Sequence, residues 1–312
     1  MTPEIENQTP LARLLEPRGL GRYRGYGEML AAIDRLGHRG ATVAEVGKSV
    51  RGEPLLAVYL GERTISSRTR TTVILSGVHP IEWIGIEAHL SLLDRLAGAD
   101  LGERAVIAFP IVNPDGVRQV EHNLREGRRR FVRHNARGVD LNRNFDARWH
   151  DRGISQRLLP FIFASGKHPS SEPEVLAIAH ALSARRIDRA LSLHSFGGAV
   201  LYPSAATLWP IPDRAEHRAW ARKIARAADD KPYRATSCAR WAMGFTSGGL
   251  ELDWFHDRHG AVSLLVECSR GGIGPRPSRL FQPFAWFNPP ALEEVAERLA
   301  DAFMPFARGM KL

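Results

Sequence analysis

The 312-residue chain contains two cysteines, Cys238 and Cys268, too few for a disulfide framework; both read as reduced thiols and the fold must rest on packing. It has no run of the roughly 18 apolar residues that a membrane-crossing helix requires. Its opening, MTPEIENQTPLARLLEPRG, is polar and acidic where a secretory signal would be basic and then apolar, so a cytoplasmic protein without membrane contact is expected. No low-complexity tract and no internal repeat is present. Acidic residues are also in short supply, 34 against 43 Lys and Arg, which leaves a net charge of +9. The excess gathers in LREGRRRFVRHNARG (124–138), with Arg125, Arg128, Arg129, Arg130, Arg133 and Arg137. That run lacks interleaved aromatics and any nucleic-acid motif, which argues against a nucleic-acid partner. It leaves a solvated loop, or a rim that attracts a small acidic substrate.

What is present suits one large soluble α/β unit: 44% apolar and 25% charged residues. PLLAVYLG (54–61), TTVILSGV (71–78), AVIAFPIV (105–112), RALSLHS (189–195) and AVSLLVEC (261–268) read as strands. YGEMLAAIDRLG (26–37), IEAHLSLLDRLAG (86–98), SSEPEVLAIAHALSARR (170–186) and EEVAERLADAFMPFA (293–307) read as helices, the second of them amphipathic. NPDG (113–116) reads as a turn. The alternation predicts an α/β fold: a single domain over 21–312 with a mixed central sheet and helices on both faces, preceded by an N-terminal extension, 1–20.

Three apolar runs stop at or near His79, His194 and Glu267. In an open α/β sheet, ligands bind outside the carboxyl ends of the strands, so these residues should share one rim. His79, Glu82 and His194 then offer two imidazoles and a carboxylate, the donor set of a hydrolytic zinc site with one position open. H-x-x-E alone is a weak signal, and a lone histidine is more often a core or loop residue. The common placement is what favours a metal. Glu267 closes a strand too apolar to hold a carboxylate without a partner or a task; burial would raise its pKa toward the range of a general base. A structural ion pair with arginine is the bland alternative. In GVDLNRNF (138–145), Arg143 supplies a planar fork for a carboxylate and Asn142 an amide beside it, or else both settle a local turn.

Together, GVHPIE, NPDG, RFVRHNARGVDLNRNF, SSEPE, LHSF…LYP, SGGLELDW and the Glu267 strand resemble the carboxypeptidase A-type family of zinc metallocarboxypeptidases, over most of the chain. The segment 43–61 is similar to that family's early strand region, and GVDLNRNF with SGKHPSSEPE also resembles its bacterial murein peptide amidase branch. The resemblance implies one Zn²⁺ per chain on His79, Glu82 and His194. It makes Glu267 the base that activates water and Arg133 the group that steadies the oxyanion. It gives Asn142 and Arg143 the substrate's free C-terminal carboxylate, and Asp140 the orientation of His79. A small peptide, acidic or derived from cell wall, is the substrate it suggests.

Two departures stand out. The family's capping tyrosine falls at Phe245 or Gly244, so its hydroxyl is missing. SGGLELDW is one residue longer than the family's SGG-x-x-DW, which leaves Glu251 and Leu252 as rival candidates for the side-chain pocket. Glu251 there would favour substrates ending in lysine, arginine or diaminopimelate; Leu252 would favour bulky apolar ends. Zinc deacylases resembling succinylglutamate desuccinylase and aspartoacylase share H-x-x-E and the late histidine, but LNRNF with SGG…DW is not expected of them. A non-catalytic binding module is the third reading; it is expected to have lost a ligand or Glu267.

Overall fold

A computed structural model of the protein describes residues 21–61, 68–151, 153–272 and 281–312. The extension expected over 1–20 lies outside the described residues. Strands β1 (Thr42–Lys48), β2 (Pro54–Gly61), β3 (Arg70–Ser76), β4 (Arg104–Phe109), β5 (Arg186–His194), β6 (Ala199–Tyr202), β7 (Arg234–Ser237) and β8 (Val262–Glu267) form one sheet in the order β1-β2-β4-β3-β5-β8-β6-β7. The central strands β4, β3, β5 and β8 are parallel, whereas β1–β2, β2–β4 and β6–β8 pair antiparallel. The sheet is therefore mixed, as the alternating pattern predicts.

The parallel centre explains the composition of its strands. Helices cover both faces, so Val73, Ile74 and Leu75 of β3 are all fully buried, Ile74 in one core and its two neighbours in the other. Each such side chain contributes about 1.5–3 kcal/mol relative to exposure. One face is covered by α1 (Tyr26–Gly37), α2 (Trp83–Leu96), α6 (Arg214–Ala227) and α10 (Leu292–Ala307). The other is covered by α5 (Pro173–Leu182) and α8 (Glu251–His259). Among the described residues the other helices are α3 (Pro114–Arg125), a 3-10 turn at Leu141–Arg143, and the short α4 (Ile154–Leu158), α7 (Cys238–Trp241) and α9 (Pro283–Phe287).

Two elements differ from the sequence reading. α2 is amphipathic only in its second half: from Trp83 to Leu90 every residue is buried, because α10 lies over the side away from the sheet, whereas Ser91, Asp94 and Arg95 reach the surface. Of its buried polar members, Glu87 meets the backbone and side chain of Arg24, and His89 Nδ1 meets the Ser76 hydroxyl while its Nε2 has no partner among the described residues. Burial lowers the pKa of His89 to about 3, so it stays neutral. NPDG, in turn, opens a helix: Asn113 accepts from the Gly116 N–H at 3.0 Å, and Pro114 sits in the first turn where no N–H is needed.

Chain order reverses direction across the sheet at β3, with β4 on one side and β5 on the other. This switch point, where the loops leaving β3 and β5 diverge, is where an α/β sheet opens a crevice. β8 lies next to β5 in parallel register, so that His194 and Glu267 are direct partners at the strand ends.

Candidate active site

His79 stands three residues beyond β3, Glu82 directly before α2, and His194 at the end of β5. The structure brings all three together, buried, with their nearest ligand atoms within 4.8 Å of one another. His79 Nδ1 lies 3.0 Å from Glu82 Oε1 and 3.0 Å from His194 Nδ1, which is itself 3.0 Å from Glu82 Oε2. The Ser195 N–H donates to the same Glu82 oxygen and fixes the carboxylate.

The outer edges of the two imidazoles decide where their protons sit. His79 Nε2 faces Asp140 Oδ1 at 3.1 Å, and His194 Nε2 faces Glu251 Oε1 at 2.7 Å. Carboxylate oxygens only accept, so each Nε2 has an acceptor for the ring's proton, and each Nδ1 lone pair is then free for a cation that Glu82 also faces. Two lone pairs and a carboxylate then converge with no donor between them, an arrangement that calls for a cation. The donor set, two nitrogens and one oxygen, fits zinc. Without one, the cluster holds a proton tightly. Burial works against charge on His194, but the hydrogen bonds to Glu251 and Glu82 outweigh it and raise its pKa to about 10.

A second histidine–carboxylate group, Asp213, His217 and His256, lies among the described residues on α6 and α8. The Ser263 N–H donates to His217 Nε2 at 3.1 Å, which leaves the proton on Nδ1, the atom that faces Asp213. That nitrogen has no lone pair to give a metal. The group is a hydrogen-bonded link between two helices.

The first cluster lies on a cleft of about 530 Å³ that Arg133, Asn142, Arg143 and Glu267 also line. Burial, reinforced by the charge of Glu82, raises the pKa of Glu267 to about 8, and its Oε2 has no hydrogen-bond partner among the described residues. Arg133 holds Asp140 Oδ2 through Nε at 2.9 Å and Nη2 at 2.8 Å, so the arginine braces the carboxylate that orients His79. Asp140 accepts from the Asn142 N–H as well. Burial alone would raise its pKa, but Arg133, then Arg143 and His79, hold it well below the usual carboxylate range. Arg143 is buried, and its Nη1 donates to the Asn142 carbonyl while Nε is unpartnered. Phe163 stacks against both guanidinium groups, 5.4 Å from Arg133 and 5.0 Å from Arg143.

The glycines of SGGLELDW act through this wall. Gly249 has φ of +81°, and a Cβ there would lie 2.2 Å from the Arg143 carbonyl oxygen. The backbone of the SGG turn therefore packs directly on the backbone of Arg143. The residue after the turn, Leu250, lines the cleft together with Leu201, Leu265, Cys238, Trp241 and Ala242.

Glu251 and Leu252 do not line it. Leu252 is fully buried in a cluster with Ala199, Ala205 and Leu265, and Glu251, equally buried, is spent on His194 and Ser192. The extra residue in SGGLELDW turns both away from the pocket, and Leu250 takes their place. Phe245 lines the cleft, is half-exposed and carries no hydroxyl. Sequence reasoning missed Phe163, Ser192 and Trp241. Only Ser192 had a usable signal, since it stands two residues before His194 on one strand and so shares its face. The basic run is largely paired: Arg125, Arg128, Arg133 and Arg137 each have a carboxylate within 4 Å, which weakens the reading of it as a free rim that attracts anions.

Residues 28–298 match the model of the zinc carboxypeptidase family, peptidase family M14. The chain belongs to that family. It is similar to mouse carboxypeptidase A6, at 30% identity over 68% of this chain and 51% of the relative, and to human carboxypeptidase B2, at 25% over 74% and 58%. It thus spans about half the length of the relatives it matches. Among solved structures, carboxypeptidase A from Helicoverpa armigera superposes with a TM-score of 0.74 at 22% identity, covering 93% of this chain and 74% of that one. Murein-tripeptide amidase MpaA from Escherichia coli O157 gives 0.53 at 21% identity, over 87% and 95%. These likenesses establish the fold. Among the described residues no helix is long and apolar enough to cross a membrane.

Proposed function

We propose that the chain is a zinc-dependent metallocarboxypeptidase that hydrolyses the amide bond preceding an apolar C-terminal residue. One observation carries the reading: a converging His79–Glu82–His194 donor set, an unpartnered Glu267 oxygen and an unsatisfied, buried Arg143 all meet in one cleft.

Zinc held by His79, Glu82 and His194 supplies a Lewis acid at the strand ends. Glu267 Oε2 accepts a proton from the attacking water and returns it to the leaving amine nitrogen, a task that suits a carboxyl group whose pKa burial has raised. Arg133, steady against Asp140 and Phe163, offers its guanidinium to the developing oxyanion. Asn142 Oδ1 is occupied by the Glu251 N–H, at 3.3 Å, which leaves its amide protons for the substrate. Together with Arg143 they grip the terminal carboxylate. The side chain of the leaving residue then meets Leu201, Leu250, Leu265 and Ala242. No acidic residue other than Glu82 and Glu267 is among the described residues lining the cleft, so a lysine or diaminopimelate end has no partner for its ammonium group. The acidic or cell-wall substrate suggested by the sequence fits this pocket less well than a peptide ending in Phe or Leu.

The test is a panel of N-acyl dipeptides, ending in Phe, Leu, Lys or Glu, assayed with the zinc-loaded protein, with an amidated Phe form included. Hydrolysis of the Phe and Leu forms above the others, with loss on amidation, supports the proposal. Cleavage of acylated amino acids only, or equal cleavage of the amidated form, rejects it in favour of a deacylase.

A further inference from the structure

The sequence directs attention to Glu251 as a substrate-facing residue, yet its side chain points the other way. It is fully buried at the start of α8, and its Oε1 accepts from His194 Nε2 at 2.7 Å and from the Ser192 hydroxyl at 2.9 Å. Asp140 stands to His79 in the same relation, at 3.1 Å from its Nε2. The two carboxylates differ in one respect. Asp140 is neutralised by Arg133, whereas Glu251 has no ion-pair partner other than His194, and its Oε2 has no hydrogen-bond partner, among the described residues.

We propose that Glu251 is a positioning residue for the metal, so that each histidine ligand is backed by its own buried carboxylate and the Glu251–His194 pair tightens zinc binding. Three physical consequences follow from the geometry. The carboxylate fixes the His194 proton on Nε2 and thereby keeps the Nδ1 lone pair aimed at the metal. The hydrogen bonds hold the ring in a single orientation, which removes entropy that binding would otherwise cost. A negative charge that no arginine pairs with among the described residues makes the imidazole a stronger donor, and a bound cation offsets the cost of burying that charge. Ser192, on the same strand face as His194, holds the carboxylate in place. This assignment also accounts for the extra residue in SGGLELDW. It allows the first turn of α8 to reach His194 while Leu250 remains in the pocket and the Glu251 N–H still holds Asn142.

The inference rests on the zinc site described above, and the experiment separates the two. Zinc affinity is measured by competition with a chromophoric chelator for the full-length apo-protein and for Glu251→Gln, Glu251→Leu and Ser192→Ala. Far-UV circular dichroism and the melting temperature of the apo forms report folding. The Gln variant keeps an acceptor for the His194 N–H and loses only charge, so about a 10-fold weaker affinity is expected; Leu removes both and should approach 100-fold, with Ser192→Ala weakest in effect. The d–d bands of the Co²⁺ forms should shift in Glu251→Gln, which a purely structural role would not cause. A folded Glu251→Gln protein with wild-type zinc affinity and unshifted cobalt bands overturns the proposal. So does unchanged affinity with a raised KM, which would return Glu251 to the substrate pocket. If the Glu251→Leu variant fails to fold, the Gln variant and its cobalt spectrum decide alone. A wild-type protein that takes up no zinc in the same titration would instead refute the metal site itself.

Discussion

Removing the Arg143 guanidinium is the most informative perturbation of substrate binding. The side chain is 8% exposed, so water screens its charge little, and burial lowers its pKa. Asp140, the nearest carboxylate, is held by Arg133, and only the Asn142 carbonyl accepts from Arg143 among the described residues. The group is therefore a desolvated cation that feels the charge of Asp140 but forms no ion pair of its own among the described residues, and the substrate's terminal carboxylate would supply one. Truncating one side of such a pair costs roughly 2–5 kcal/mol. Taking about 3 kcal/mol, kcat/KM for a free-carboxylate peptide should fall on the order of 10²-fold in Arg143→Ala, chiefly through KM. Arg143→Lys should recover part of this, because a point charge cannot reproduce the planar fork or its stacking on Phe163. Steady-state kinetics on paired free and amidated peptides complete a double-mutant cycle. Amidation should harm the wild type about as much as the substitution does and should add little to the variant, since both remove one interaction. Additive losses would mean that Arg143 and the carboxylate do not meet, and equal turnover of both peptides by the wild type would refute the carboxypeptidase reading.

Glu267→Gln should retain zinc by elemental analysis while kcat falls on the order of 10² to 10⁴-fold; near-normal turnover would make Glu267 structural. Ala242→Asp, on a partly exposed wall of the cleft, should shift preference toward lysine-ended peptides, and an unchanged ranking would place the leaving side chain elsewhere. His256 hydrogen-bonds Asp257 and Asp213 with His217 packed beside it, and these bonds, the one to Asp257 foremost, raise its pKa. A raised pKa means that the folded state binds the proton more tightly. The stabilisation is thus complete below the unfolded value of about 6.5 and fades as pH rises through the folded one. Melting curves should show His256→Gln less stable than wild type at pH 6 and the gap narrowing at higher pH; a gap that widens with pH would contradict the pairing.

The central strands were legible because burial on both faces leaves an unbroken apolar signature, and the ends of those runs located His79, His194 and Glu267. The four-residue strands β6 and β7 carried no comparable signal, whereas α6 did, with Trp220, Ala221, Ile224 and Ala225 at helical spacing, and was overlooked. The first half of α2 misled because Glu87 and His89 are polar yet buried. Glu87 meets Arg24 and His89 Nδ1 meets Ser76, contacts that no local pattern encodes. Phe163 lies in an irregular segment, where an aromatic residue has no periodicity to announce its partner. The pocket was ambiguous for a geometric reason. One extra residue before Asp253 shifts the start of α8, and only the three-dimensional path shows that Glu251 turns toward His194 while Leu250 turns toward the cleft.

The neighbouring positions of His194 and Glu267 on parallel strands have an engineering consequence. Adjacent strands lie about 4.8 Å apart, a separation imposed by backbone hydrogen bonding and indifferent to side-chain identity. The separation of the metal ligand from the carboxylate is thereby anchored to the stiffest ruler in the molecule. Leu250, Trp241, Ala242 and Phe245, by contrast, come from the stretch between β7 and the body of α8. Segments of that stretch could be exchanged with those of relatives to change which peptides are accepted, leaving the register of β5 and β8 untouched. A single-residue insertion within β8 would do the reverse: it would turn Glu267 to the opposite face of the sheet and silence every such chimera alike.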